Sequence, residues 1–225
     1  MIRYAKLPLF FDAMETQNEL LSVDKNWQSH FNTYHFEGSW TVLALRSPDG
    51  SHINIIPELM ASSEYRNTLF MEQFPSVKQL LSNFDCPIMA VRFLNLQAGA
   101  IIKPHRDNEL AFEKGEARLH FPIITNPDVE FYIEDDRIPL TEGSCWYINA
   151  NLTHQVFNKG NTDRIHLVID CKVNGWLKEL INLSNEVSFK DEQENGQLLM
   201  IIKELRLQNT EAANKMASEL ELQLK

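Results

Sequence analysis

Between residues 86 and 173 the chain breaks into short runs of strand character: IMAVRFLNL, ARLHFPIIT, VEFYI, SCWYIN, HQVFN and RIHLVIDC. Turn-forming residues stand between them, including Gly99, Asn126-Pro127-Asp128, Asp135-Asp136, Glu142-Gly143 and Lys159-Gly160. No single run can hide its own apolar residues. Many short strands at near-regular spacing fold as a sandwich or barrel, because two packed sheets bury the inner faces of all of them at once. The expected fold is mainly β, a cupin-like jelly roll with flanking helices.

The flanks differ from this zone. Residues 1–85 mix signals. LPLFFDAMETQNELL carries a loose helical pattern, and WTVLALRS reads as a strand closed by Pro48-Asp49-Gly50. SVKQLLSNF reads as a short helix, with Ser76 as its candidate cap after Pro75. Residues 174–225 carry no strand signal. LLMIIKELRLQ and EAANKMASELELQLK read as amphipathic helices, with Asn195-Gly196 breaking the run before the first. The expected organisation is a β domain over 1–173 and a helical C-terminal appendage over 174–225. The apolar stripe of that appendage would serve packing or a homodimer contact.

Composition narrows the class. With 44% hydrophobic and 23% charged residues in a 225-residue chain, a globular core is expected. The formal charge of −10 argues against nonspecific nucleic-acid binding, which needs a basic footprint. Cys86, Cys145 and Cys171 are odd in number and form no CxxC, which fits free thiols in a reducing compartment. No apolar stretch approaches the roughly 18 residues of a membrane span. A soluble, cytoplasmic protein without a membrane partner is expected.

Side chains along a strand alternate between its two faces. In ARLHFPII, Arg118 and His120 share one face; in RIHLVIDC, Arg164, His166 and Asp170 do. The opposite faces are wholly apolar. Solvent exposure is one explanation, and a polar lumen between two sheets is the other. KPHRD adds His105 and Asp107 at i and i+2, and His154 opens a later strand run. Two imidazoles and one carboxylate can occupy one face of an octahedral metal, the arrangement of non-haem Fe(II) oxygenases; a solvated loop ion pair is the plainer reading of His105 and Asp107. Arg164 follows His154 by ten positions and can present a bidentate fork to a carboxylate.

The stretch EGSCWYINANLTHQVFNKGNTDRIHLVIDC resembles the C-terminal core of the aspartyl/asparaginyl β-hydroxylase family. That pattern has a Gly eleven residues before the distal His, then His-x-Val-aromatic-Asn, an Arg ten after the His, and an Asp six after the Arg. Gly143, His154, Val156, Phe157, Asn158, Arg164 and Asp170 fall on those positions. GAIIKPHRD resembles the strand of the proximal His, ARLHFPI the strand between them, and GSWTVLALRSPDG the upstream segment of bacterial members. The resemblance covers about residues 35–173. It implies a double-stranded β-helix, Fe(II) and 2-oxoglutarate as cofactors, and C–H hydroxylation. Animal members have Gly where this chain has Asp107; bacterial members keep the carboxylate.

On this resemblance His105, Asp107 and His154 hold the metal, Arg164 and His120 the cosubstrate, and Arg118 and Arg92 the substrate. The last assignment rests on a count of cations: with Arg164 on the cosubstrate, Arg118 and Arg92 are surplus, and the substrate would bear a carboxylate, as an amino acid or a peptide residue; the plainer alternative is that Arg118 pairs with an internal acid such as Asp170 or with the cosubstrate's other carboxylate. His166 and Asp170 are expected to be structural. The rival readings are a non-catalytic cupin-like module for an anionic ligand, and a cupin metal enzyme that does not use 2-oxoglutarate.

Overall fold

The computed structural model describes residues 1–23, 27–56, 64–107, 110–189 and 192–222, with backbone alone for 192–197. The chain divides into two compact units, Arg3–Val187 and a smaller one of Met1–Ile2 with Ser188–Lys225. The strands are β1 (Ile2–Leu7), β2 (Gln28–Ser29), β3 (Phe36–Glu37), β4 (Trp40–Pro48), β5 (Tyr65–Asn67), β6 (Ile88–Leu96) and β7 (Ile101–His105). There follow β8 (Glu116–Ile124), β9 (Val129–Ile133), β10 (Asp136–Ile138), β11 (Cys145–Ile148), β12 (His154–Asn158), β13 (Arg164–Lys172) and β14 (Glu186–Phe189). The helices are α1 (Ala13–Ser22), α2 (Pro75–Ser82), α3 (Gly175–Asn182), α4 (Glu192–Gln208) and α5 (Glu211–Glu221). Among the described residues no helix is long and apolar enough to cross a membrane.

In the larger unit one antiparallel sheet runs β1-β11-β8-β13-β6-β4-β2, with β5 on the end of β4, and the other runs β10-β9-β12-β7-β3. From β6 to β13 the chain changes sheet at nearly every strand, the jelly roll that the short runs predict. β13 lies between β6 and β8 with Asp170 opposite Arg118 and Val168 opposite both His120 and Arg92. Both of its edges are therefore paired, and every residue from Arg164 to Cys171 is buried, so both faces are covered as well. Val168 joins Trp40, Leu94, Phe131, Ile133 and Trp146 in the core between the sheets. Leu119, Phe121 and Ile123 lie on the opposite face of the large sheet, where Phe121 meets Phe11 at 5.8 Å and Phe84 at 6.4 Å. The face carrying Arg118, His120, Arg164, His166 and Asp170 is buried, so the polar-lumen reading of the alternation holds and the solvent-exposed one does not.

Three local expectations are corrected. Helix α2 starts at Pro75, with Phe74 as its cap residue. Ser76 sits inside the first turn and takes its own partner from α1: its N–H donates to Glu19 Oε1 at 2.9 Å and its hydroxyl to Glu19 Oε2 at 2.5 Å. The region after 174 does contain a strand, β14, a short alternation of Val187 and Phe189 with polar residues. Ser184 pins the chain just before it by donating to Lys6 O at 2.5 Å. Helix α4 runs through Asn195-Gly196; one internal glycine costs only about 1 kcal/mol of helix propensity. In the smaller unit Asn209, at φ +47°, turns the chain between α4 and α5. Thr210 caps α5 through Ala213 N–H at 3.2 Å. Arg206 of α4 reaches Ser218 Oγ at 3.1 Å and Glu221 Oε2 at 3.0 Å. The last three residues of the expected second helix lie outside the described ones.

Asn158 fastens the far end of the lumen. Its Nδ2 donates to Leu96 O at 3.0 Å and Thr162 O at 2.9 Å, and its Oδ1 accepts from Asn126 Nδ2 at 3.1 Å and Gly160 N–H at 3.3 Å. Gly160 is needed there, since a Cβ would stand 2.2 Å from Asn126 Oδ1. Gly143, at φ +75°, is needed for its backbone conformation. Replacing Asn158 by alanine removes four hydrogen bonds, one buried and three part-buried, and is expected to lower the unfolding free energy by about 3 kcal/mol. Urea denaturation checks this; a loss below about 1 kcal/mol would mean that the clasp is dispensable.

Candidate active site

His105 closes β7 and His154 opens β12, opposite each other in the ladder, with ring centroids 4.2 Å apart. Between the pairs His154–His105 and Val156–Ile102, β7 spends one residue more than β12. That bulge turns His105 to the side on which His154 already lies. Each imidazole is held by a carbonyl two residues back: His105 Nδ1 is 2.8 Å from Lys103 O within β7, and His154 Nδ1 is 3.0 Å from Leu152 O in the turn before β12. A carbonyl only accepts, so both protons sit on Nδ1 and both Nε2 lone pairs are free. Burial pushes His154 down to about 4, which keeps it neutral.

Asp107 lies two residues beyond His105. Its N–H donates to Ala150 O at 2.8 Å, and Arg106 Nε donates to Thr153 Oγ1 at 2.9 Å. These bonds bring the carboxylate against the turn that precedes His154. The ligand atoms of His105, Asp107 and His154 lie within 4.8 Å of one another. Two neutral imidazole nitrogens and one carboxylate oxygen are a donor set suited to a divalent transition-metal ion.

The carboxylate is oriented as well as placed. Asp107 Oδ1 lies 3.7 Å from His105 Nε2, while Oδ2 accepts from Arg118. Burial alone would raise the Asp107 carboxyl; the Arg118 guanidinium outweighs it and holds the group well below the usual carboxylate range. Arg118 also grips Asp170, through Nε at 2.7 Å and Nη2 at 3.1 Å, and Asp170 takes Arg92 Nη2 at 2.5 Å. The expectation that Arg118 and Arg92 are surplus cations is thereby corrected. Two guanidiniums face two carboxylates, and Asp170, expected to be structural, supplies the charge missing from the count. Arg92 Nε still has no acceptor.

Arg164 is different. It is 1% exposed, and among the described residues no carboxylate pairs with it. Burial pushes it down to about 9. Its Nη2 lies 2.7 Å from His166 Nδ1, its guanidinium stands 5.7 Å from the Phe131 ring, and its Nε has no acceptor. His120 is buried beside His166, with ring centroids 5.7 Å apart.

A cavity of about 310 Å³ opens beside Asp107, walled by His30, His35, Trp40, Arg92 and Arg118 among others. His30 stacks on Trp40 at 3.6 Å between centroids, and His35 lies 4.7 Å from the His105 ring. Sequence reasoning passed over His30 and His35, which lie in a stretch without periodicity. Their spacing around an aromatic-rich segment just ahead of the Trp40 strand is the one signal that could have found them.

The model of the family described as Aspartyl/Asparaginyl beta-hydroxylase matches residues 12–173. The chain belongs to that family. The matched segment holds every member of the cluster just described. The chain is 26% identical over 157 residues to the L-proline cis-4-hydroxylase of Rhizobium meliloti (strain 1021); the match covers 68% of this chain and 55% of that protein. The chain thus spans little more than half the length of this relative. Among solved structures it is similar to an oxidoreductase of the 2OG-Fe(II) oxygenase family from Burkholderia pseudomallei, with TM-score 0.48, 13% identity, and coverage of 75% of this chain and 85% of that one. It is also similar to a Pseudomonas putida prolyl-4-hydroxylase, with TM-score 0.45, 10% identity, and coverage of 78% and 95%.

The neutral His154 makes this family member acid-sensitive when metal-free. Its folded-state value, about 4, lies below the ordinary 6.5. Between those values the unfolded chain binds a proton that the folded chain refuses, so stability falls as pH drops through that window. This one imidazole is expected to cost about 2 kcal/mol at pH 5 relative to pH 7.5. Urea midpoints of the metal-free protein at the two pH values measure it, and the loss should shrink in His154→Gln.

Proposed function

We propose that this protein is an Fe(II)- and 2-oxoglutarate-dependent hydroxylase that acts on a C–H bond of an amino acid or amino-acid residue. The observation that carries the reading is the His105–Asp107–His154 cluster, with all its ligand atoms within 4.8 Å. Family membership supports it, and so does the name of the Rhizobium meliloti relative, an L-proline cis-4-hydroxylase. The chemistry that the iron and 2-oxoglutarate supply when bound is oxidative: dioxygen is divided between a hydroxyl on the substrate and succinate, with carbon dioxide lost.

The chain's own part is to hold, orient and exclude. His105 and His154 would offer Nε2 and Asp107 would offer Oδ1, while Arg118 keeps Asp107 Oδ2 engaged and so fixes the direction of the other oxygen. Arg164 would take the distal carboxylate of 2-oxoglutarate, with His120 lining the same region. Phe131, Ile133 and Trp146 keep water from the lumen. The substrate would enter the cavity between Asp107 and the His30–Trp40 stack. Of the two arginines expected to meet its carboxylate, Arg92 is the better placed, because its Nε lacks an acceptor and it walls that cavity. A cupin that does not use 2-oxoglutarate has no need of a buried, acid-free Arg164, and this disfavours the rival readings.

The test is succinate formation from 2-oxoglutarate across a panel of free amino acids and short peptides, with mass detection of the hydroxylated product. His154→Ala is expected to abolish it and to weaken Fe(II) binding by at least about tenfold. Normal hydroxylation by that variant would sink the metal assignment. Arg164→Met is expected to raise the 2-oxoglutarate concentration for half-maximal rate by about thirtyfold or more, since a charge-assisted contact worth about 2–5 kcal/mol is lost. Fe(II) affinity should stay unchanged in the same variant.

A further inference from the structure

We propose that Cys86 and Cys171 form an oxidation site, at which a hydroperoxide converts the two thiols to a disulfide. Cys171 lies near the end of β13, opposite Ile88 of β6 on one side and Ala117 of β8 on the other. Side chains two apart in an extended chain share a face. Cys86, two residues before Ile88, therefore falls on the face of Cys171 as its diagonal neighbour. The backbone around it is fastened at two points. Pro87 O accepts from Lys172 N–H at 2.9 Å, and Asp85 O accepts from Asn174 Nδ2 at 2.5 Å. Residues 85–88 are thus held along the end of β13, and the two thiols meet. The face is the one turned away from the lumen, since the neighbouring Asp170 belongs to the lumen side.

The two sulfurs are not equivalent. Cys86 is partly exposed, while Cys171 is fully buried. The Cys171 thiol proton has two acceptors in reach, the Cys86 sulfur and Ala117 O at 3.8 Å. Its hydrogen bond to Cys86 holds the Cys86 thiol below its ordinary value, and Cys171 is pushed up. Cys86 therefore supplies the thiolate, and it is the one of the two that a small oxidant can reach. Its sulfur attacks one peroxide oxygen: an S–O bond forms, the O–O bond breaks, and the oxyanion released takes a proton from water. The sulfur loses two electrons and the peroxide gains them. The Cys171 sulfur then attacks the Cys86 sulfenic acid. The S–S bond forms, the S–O bond breaks, and the hydroxide leaves as water with the Cys171 proton. Packing alone accounts for a buried Cys171, but not for a second, partly exposed thiol set against it.

The experiment treats the full chain with an equimolar amount of hydrogen peroxide, with a chelator present to keep iron from the oxidant. The protein is then alkylated and digested without reductant. Mass spectrometry is expected to find the Cys86 peptide linked to the Cys171 peptide, and dithiothreitol should release both. Cys145, fully buried and with its thiol raised by that burial, should stay reduced and serves as the internal control. Cys86→Ser should slow peroxide consumption at least about tenfold. Cys171→Ala should leave Cys86 as a sulfenic acid that dimedone traps, an adduct at least about tenfold scarcer in the unsubstituted chain. A link between the Cys86 residues of two chains, a link that involves Cys145, a sulfenic acid that persists at Cys86 in the unsubstituted chain, or survival of all three thiols overturns the proposal. The linkage in the unsubstituted chain needs no variant, so it decides the question even where Cys171→Ala fails to fold.

Discussion

The interior is organised around one buried carboxylate. Asp170 lies on the central strand β13, and its two oxygens hold Arg118 from β8 on one side and Arg92 from β6 on the other. Without it Arg92 would have no carboxylate among the described residues and Arg118 only Asp107, an uncompensated charge in the middle of a sheet that costs several kcal/mol. The arrangement also guards the register. A slip of one residue would turn Asp170 to the apolar face and leave both cations behind, so electrostatics and hydrophobic pattern demand the same alignment. Arg118 then carries that alignment onward, because its remaining nitrogen holds Asp107. The orientation of the Asp107 carboxylate is thereby tied to the pairing of the central strands.

The strands of the jelly roll were legible because burial of one face imposes a period of two, and the runs from IMAVRFLNL to RIHLVIDC keep it. The metal cluster was legible because its residues stand at strand ends, where sequence spacing converts directly into position. What spacing could not give was the partner of each charge. Arg118 and Arg92 looked free because Asp170 sits far away in the chain and meets them only through the order of strands. His30 and His35 were missed because the segment that carries them has no regular repeat. In the C-terminal region β14 is too short, and its alternation too brief, to stand out from a turn.

The two imidazoles of the cluster are aimed by carbonyls two residues back, one in β7 and one in the turn before β12, and the bulge in β7 belongs to the backbone of the smaller sheet. The cavity wall comes largely from elsewhere: residues 30–56 on one side and Met89, Arg92 and Leu94 on the other. Tool-holder and mould are therefore separate pieces of chain. Side chains of the mould can be exchanged without disturbing the carbonyls that aim the nitrogens, so a change of substrate need not begin with a damaged catalyst. Asp107 and Arg118 belong to both: they wall the cavity while Arg118 holds the Asp107 carboxylate, so at these two positions a change in the mould is also a change in the grip.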